Sequence, residues 1–459
     1  MKRRTLLSLL ASFGLVLGGV AAQSVFYVDA KTGNDLNSGT TPTRAWKSLK
    51  KASSALPKNS VLLVMPGTYS VNTTNELWPV TFGISDQSNC KIIAVGGPAV
   101  TIIDGGGSSS LGLVRFRSNA RKLRFTGFTF QNMGTASFFS TAIRMGSYTG
   151  GVYSCSDVEV DHCVFKNVWR ALVIFGSQSG TLISTGNRFH DNLILNSKGQ
   201  SIAAYGKGIN YIYNNTIVKS AHDGIFLSDS AVKEYCGAVV YNNLCYGGGT
   251  TGILADATAF NATKTLGPKV LHNAAFLNTT AQFSGFPVGK TNLSVDPLFV
   301  NLLQGDFRLK ATSPLIDAGT NAFPVLRHDA DAYPRAFDAK GKGRVADIGA
   351  YEFHRNDMTV TVPLKVGTTG NVKFTGPPGA GLVLFALDDG ALLTPYGILL
   401  IDLPTFIPAL TAVGGIPGNR AILIPNIPSL AGLRLVLQGA WLNPTKGLLE
   451  LLNVSHQVL

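Results

Sequence analysis

Charge is scarce in this chain of 459 residues: Asp, Glu, Lys and Arg together make up 14% of it, against 51 glycines. That balance disfavours helices and suits β structure rich in turns. Acidic residues are the scarcer sign, 26 against 39 basic, giving a net charge of +13. The excess points to a polyanionic partner such as acidic polysaccharide or anionic cell wall, or to basic residues scattered for solubility. No nucleic-acid-binding motif is present, which removes nucleic acid as a partner. Cysteine is sparse as well: Cys90, Cys155, Cys163, Cys236 and Cys245 are all there is, and their spacing matches no zinc site. Cys155–Cys163 and Cys236–Cys245 are possible local bridges in an oxidising compartment, leaving Cys90 over; the alternative is buried free thiols. Long apolar runs are missing past Val20. "ALLTPYGILLIDLPTFIPAL" is broken by three prolines and an aspartate, so no membrane span is expected there.

One apolar run does open the chain. Lys2, Arg3 and Arg4 precede Leu6 to Val20, and Ala21-Ala22-Gln23 offers a cleavage point after Ala22. Residues 1–22 therefore read as an export signal, with Arg3-Arg4 weakly similar to a twin-arginine signal. No cysteine adjoins the cleavage point, which argues against a lipoprotein anchor. The expected location is secreted or cell-surface associated, as a monomer.

The middle of the chain repeats. "FTGFTFQN" from Phe125, "VDHCVFKN" from Val160, "STGNRFHD" from Ser184, "IYNNTIVK" from Ile212, "VYNNLCYG" from Val240 and "LHNAAFLN" from Leu271 follow one pattern, at gaps of 35, 24, 28, 28 and 31 residues. A second apolar set falls at Phe130, Phe165, Phe189, Ile217, Cys245 and Phe276. Repeats of that length, made of short strands, indicate a solenoid. Asn214 and Asn242 suit left-handed turn backbone, with Asn215 and Asn243 beside them. Stacked asparagines can hydrogen-bond from coil to coil. A later strand aligns Ile143, Leu172, Ile202, Ile225 and Ile253, with Met145, Ile174, Ala204, Leu227 and Ala255 two places on. Alternation points both columns inward.

With these repeats the chain resembles the pectate-lyase-like right-handed parallel β-helix proteins. Its opening, "FYVDAKTGNDLNSGTTPTRAWKSLKKASSALPKNSVLLVMPGTY", is similar to the first segment of many secreted members. There Trp46, Leu49, Ala52 and Leu56 stand at helical spacing, fit to cap the open end of the stack, and "SVLLVMPGTY" reads as the first strand and turn. "DPLFV", "GDFRL", "SPLIDAG" and "DAYPRAFDAKGKGRVADIGAYEF" resemble the choice-of-anchor Q segment of secreted bacterial β-helix proteins. The expected architecture is all-β: a signal at 1–22, a β-helix with an N-terminal capping helix over 23–355, and a β-sandwich over 356–459 that attaches or binds.

The resemblance implies chemistry on acidic polysaccharides, at the loops entering one strand ladder. "SAHDGIFLSD" places His222-Asp223 at such a junction. Arg170 and Gln200 align with Asp223 in neighbouring coils, about 4.8 Å apart per step, with Lys207 and Lys219 in the same region. For a lyase or epimerase acting on uronates, Arg170 would clamp the carboxylate, while Lys207, Lys219 or His222 would take the proton. Asp223, Asp229 and Asp256 are candidate ligands for Ca²⁺. Asp223 with Asp229 is the best carboxylate pair for a hydrolase, although the family's doubled-Asp hydrolase motif is absent. Trp169, Phe175, Tyr205 and Phe226 are candidate stacking platforms for sugar rings. The competing expectation is a non-catalytic surface protein that binds glycan or cell envelope.

Overall fold

The computed structural model describes the chain except residues 1–22, 108–111, 118–119, 135–139, 147–153, 177–182, 230–234, 262, 264, 323–327, 336–344, 355–356, 363–364, 387–388, 395–396, 402–411, 425–433, 443–448 and 459. The expected signal and its cleavage point lie outside the described residues.

Three parallel sheets wind into one solenoid. The first sheet has nine strands, from Ser24–Val28 and Ser60–Val64 through Arg124–Thr126, Glu159–Asp161, Arg188–His190, Tyr211–Tyr213 and Val239–Tyr241 to Lys269–Leu271. The second and third have eight each, ending at Ala274–Phe276 and Ala281–Ser284. Each coil visits the three sheets in turn. Strands of three to five residues can bury nothing alone, so stability comes from stacking. The inward columns are those that alternation predicts. Ile143, Leu172, Ile202, Ile225 and Ile253 stand in register and are fully buried. In the first sheet Phe125, Val160, Phe189, Ile212 and Val240 do the same.

Two repeats shift from their expected alignment. Phe189 belongs to the first sheet, and Ile194 takes the place beside Phe165. Ala275, not Phe276, partners Cys245. The sequence had lined up apolar residues by type, whereas the register follows the turn. That turn takes one left-handed residue per coil, at His162, Asp191, Asn214, Asn242 and His272, with φ of 53–54°. The residue after it points inward and forms a ladder. Asn192 Oδ1 accepts from Cys163 N, Asn215 Oδ1 from Asn192 N, Asn243 Oδ1 from Asn215 N, and Asn273 Oδ1 from Asn243 N, at 2.9–3.2 Å.

The N-terminal cap is helix α1, Leu49–Ala55, started by Ser48, whose side chain accepts from Lys51 N. Trp46, Leu49, Ala52 and Leu56 are all buried, as their spacing requires. The first strand is Ser24–Val28, which pairs with Ser60–Val64, so "SVLLV" is the second rather than the first. Buried Glu76 closes the helix start by accepting from Leu49 N and Lys50 N. All five cysteines are buried free thiols, which decides the disulfide question for this structure. The C-terminal part is antiparallel. Thr369–Ala386 pairs with Asp357–Val362, Ala412–Leu423 and Arg434–Leu442, and Leu449–Val458 extends that sheet. Asp389–Thr394 and Gly397–Ile401 form a separate hairpin.

Candidate functional site

The bend that leads into the third sheet repeats in four successive coils. Gly199 N donates to Trp169 O, Ala221 N to Ser197 O, and Gly249 N to Ser220 O, so the corners stack. Side chains stack with them. Arg170 Nη2 donates to Gln200 Oε1 at 2.7 Å, and Gln200 Nε2 to Asp223 Oδ2 at 3.3 Å. Asp223 Oδ1 accepts from Thr250 Oγ1 at 2.6 Å and Thr251 N at 3.2 Å. Arg170, Gln200 and Asp223, 53 residues apart end to end, thus form one relay across the stack. Its ends are buried, Arg170 being 2% and Asp223 7% exposed. Burial pulls the Arg170 guanidinium below its usual range.

The exposed residues of this corner adjoin the relay in the chain. Lys198 and His222 are exposed, and Trp169, Gln200 and Thr250 half-buried. The Trp169 indole lies along Gly199: a Cβ there would meet its Nε1 at 3.1 Å. That Nε1–H has no hydrogen-bond partner among the described residues.

The remaining candidates do not join this corner. Lys207 follows strand Ile202–Tyr205 and Asp229 follows strand Ile225–Ser228, at the opposite edge of the sheet. A four-residue strand, about 13 Å long, separates Asp223 from Asp229. Glycosidase pairs stand roughly 5–9.5 Å apart, so the two cannot flank one bond. Lys219 opens the same connection directly after strand Thr216–Val218, in left-handed backbone at φ 57°, and lines a groove along the second sheet. The platforms are covered too. Phe175 and Tyr205 are 4% and 6% exposed, stacked on each other at 5.4 Å, with Phe226 edge-on to Tyr205 and Arg144 over Phe175. They form a small apolar cluster with Val173 and Ala203 instead of an open sugar-binding face. Of the aromatic candidates, Trp169 alone joins the corner.

A second polar assembly, absent from the sequence reading, lies on the outer face of the first sheet. Alternation places Arg124, Glu159, Asp161, Arg188 and His190 outward in adjacent strands. Residues from later in the chain, His328, Arg335 and Glu352, join them. Arg124 forks onto Asp161, with Nη2 to Oδ2 at 2.5 Å, and His162 Nδ1 meets the same oxygen at 2.7 Å. Arg335, fully buried, pairs with Asp191 and with Glu352. Burial would raise the Asp161 and Asp191 carboxyls; Arg124 with His162, and Arg335 with His190, outweigh it and hold both low. Burial would lower His190, but its bonds to Asp191 and Glu159 lift it to about 9. Burial pushes Glu76 in the N-terminal cap up to about 7.

These shifts set a pH profile. His190 and Glu76 have folded values above their unfolded ones of 6.5 and 4.5, so each stabilises fully below its unfolded value and loses that contribution as pH rises through its folded value. Asp161 and Asp191 act oppositely and lose theirs below the ordinary carboxyl value of 3.8. Thermal midpoints should therefore decline from about pH 5 to about pH 9 and collapse in strong acid. His190→Gln should flatten the alkaline limb.

Neither assembly fits a metal. Asp223 already accepts three hydrogen bonds, and Asp256 accepts from Thr258 N and Thr258 Oγ1 as the cap of a short helix. Among the described residues the one group with converging ligand atoms is Glu159, Asp161 and His190, not Asp223, Asp229 and Asp256. Its carboxylates are paired with Arg124 and Arg188, and both His190 nitrogens face carboxylates.

Residues 114–262 match a family described as "Periplasmic copper-binding protein (NosD)". No curated protein matches the chain. Three solved structures show a similar course. Pectate lyase Pel9A is 16% identical, with 73% of this chain and 98% of that one covered at a TM-score of 0.43. A GH136 lacto-N-biosidase from Eubacterium ramulus is 12% identical, over 55% and 59%, at 0.31. A rhamnogalacturonan lyase is 13% identical, over 61% and 91%, at 0.25. The strand order and register stand by themselves: this chain folds as a parallel β-helix of three sheets.

Proposed function

We propose that this is a secreted or envelope-associated protein that binds acidic glycans along the corner of Trp169, Lys198, Gln200 and His222. The carrying observation is the relay from Arg170 to Thr250, which fixes Gln200 at a corner whose neighbouring chain positions carry Lys198, His222 and the Trp169 indole. The indole offers a face to the apolar side of a sugar ring. Lys198 and His222 offer donors to uronate carboxylates, and the net charge of +13 favours polyanions at longer range. Binding is better supported here than cleavage. Arg170 is buried and engaged by Gln200, so it is poorly placed to clamp a substrate carboxylate. Asp223 is saturated with donors, Lys207 stands beyond the far end of its strand, and Lys219 lines the groove along the second sheet.

The test is affinity chromatography or calorimetry with polygalacturonate and alginate, with neutral glucan as control. Trp169→Ala should weaken uronate binding by roughly tenfold, as loss of one stacking contact implies. Lys198→Ala should lower affinity and flatten its salt dependence. Failure of the wild type to bind any polyuronate ends this reading. A rise in ultraviolet absorbance during incubation, lost in His222→Ala, would instead mark a lyase with His222 as base.

A further inference from the structure

The outer face of the second sheet is apolar, and later residues cover only part of it. Leu193, Val218 and Leu244 pack with Phe299, Phe307 and Leu309, which belong to a hairpin of strands Phe299–Asn301 and Asp306–Leu309. The short helix Leu302–Gln304 at the tip of that hairpin lines a groove of about 530 Å³. Val164, Leu193, Leu195 and Val218, from three adjacent strands, line it from the sheet. Leu303, in the same lining, is 98% exposed. The charged residues of the lining are Lys166 and Lys219. Both are exposed, and neither has an ion-pair partner among the described residues. No carboxylate lines the groove, and Asp306 in the hairpin is taken by Arg308 at 2.6 Å. Lys166 stands in register with Leu195, and Leu195 with Val218, so the two lysines are two strand spacings apart, about 10 Å.

We infer that this groove binds a free fatty acid, its acyl chain on the aliphatic lining and its carboxylate at Lys166 and Lys219. The volume lies within the range of ligand pockets, roughly 300–1,000 Å³, and an apolar lining with few polar groups is their usual make-up. The lining crosses the strands from Thr129–Gln131 to Thr216–Val218, three steps or about 14 Å, so an extended chain can lie along the stack. Lying lengthwise suits a free molecule better than a lipid still packed in a bilayer. A peptide would need partners for its backbone, and the sheet has few to give. Val164 N, Leu193 N and Thr216 N already donate to Phe128 O, Cys163 O and Asn192 O of the preceding coil. An acyl chain asks for none. The two lysines, with no carboxylate facing them in the lining, supply charge-assisted donors for one anionic end.

Calorimetric titration of the full chain with laurate, hexanoate and dodecanol tests this. The expected result is micromolar binding of laurate. Hexanoate keeps the carboxylate but loses most of the buried methylenes, and should bind at least about a hundredfold more weakly. The double variant Lys166→Gln with Lys219→Gln keeps the side-chain stems and removes the charge. It should weaken laurate about tenfold and leave dodecanol unchanged. Leu303→Asp, at an exposed position, should weaken laurate at an unchanged thermal midpoint and guards against a misfolded double variant. Absence of laurate binding, equal binding of hexanoate, or full affinity in both variants would each overturn the inference. Sedimentation of the chain with phosphatidylglycerol vesicles, undisturbed by laurate, would assign the groove to a membrane surface and overturn it as well.

Discussion

Arg335→Ala is expected to lower the stability of the β-helix by about 3–5 kcal/mol, the range for breaking a buried ion pair from one side. Arg335 is fully buried and forks onto Asp191 with Nε at 2.9 Å, while Nη1 reaches Glu352 at 3.4 Å. Removing the guanidinium takes the shared cation from both buried carboxylates, leaving Asp191 with His190. The damage should extend beyond one contact. Glu352 Oε2 also accepts from Asp347 N, and Asp329 Oδ2 from Glu352 N, so Arg335 anchors the whole return segment to the solenoid. Arg335→Lys should recover only part of the loss, because an ammonium cannot reproduce the planar fork. Urea denaturation followed by circular dichroism reads both variants. A loss below 1 kcal/mol for Arg335→Ala would show that the segment is held by its apolar contacts alone.

Asn215→Ala should cost a comparable amount by another route. Asn215 is fully buried in the middle of the asparagine ladder. Its Nδ2 donates to Phe189 O, Tyr213 O and Asn243 Oδ1, and its Oδ1 accepts from Asn192 N and Asn192 Nδ2. Each buried group left without a partner costs about 1–3 kcal/mol, so a total of about 3 kcal/mol or more is expected. Because coils stack only on neighbours, the effect should spread from the break. Hydrogen exchange of amides in Arg188–His190 and Val239–Tyr241 should accelerate ahead of those in Ser60–Val64. Uniform acceleration would instead mean one cooperative unit with no local weakness.

The solenoid was legible because its inward columns repeat by residue type: five isoleucine or leucine positions, one per coil in a single column, need no alignment to be seen. Register was harder. Phe189 and Phe276 look like members of the second column, but the left-handed residues Asp191 and His272 set the bend and place them elsewhere. The corner was half legible. Arg170, Gln200 and Asp223 were aligned by counting from the strand, and they do join. Lys207 and Asp229 failed because nearness in sequence put them beside the same strand, at its far edge. The charged seam escaped because its partners come from distant segments: Arg335 lies 144 residues from Asp191. A signal was present nonetheless. Arg124, Glu159, Asp161, Arg188 and His190 occupy outward positions in consecutive repeats, which is unusual for a sheet face unless something covers it.

The most direct measurement of the central claim is a crystal structure of the full chain soaked with a short oligogalacturonate. The account predicts sugar electron density along the corner, with a ring on the Trp169 indole and carboxylates at Lys198 and His222. Density confined to another face of the solenoid, with this corner empty at saturating ligand, would contradict it.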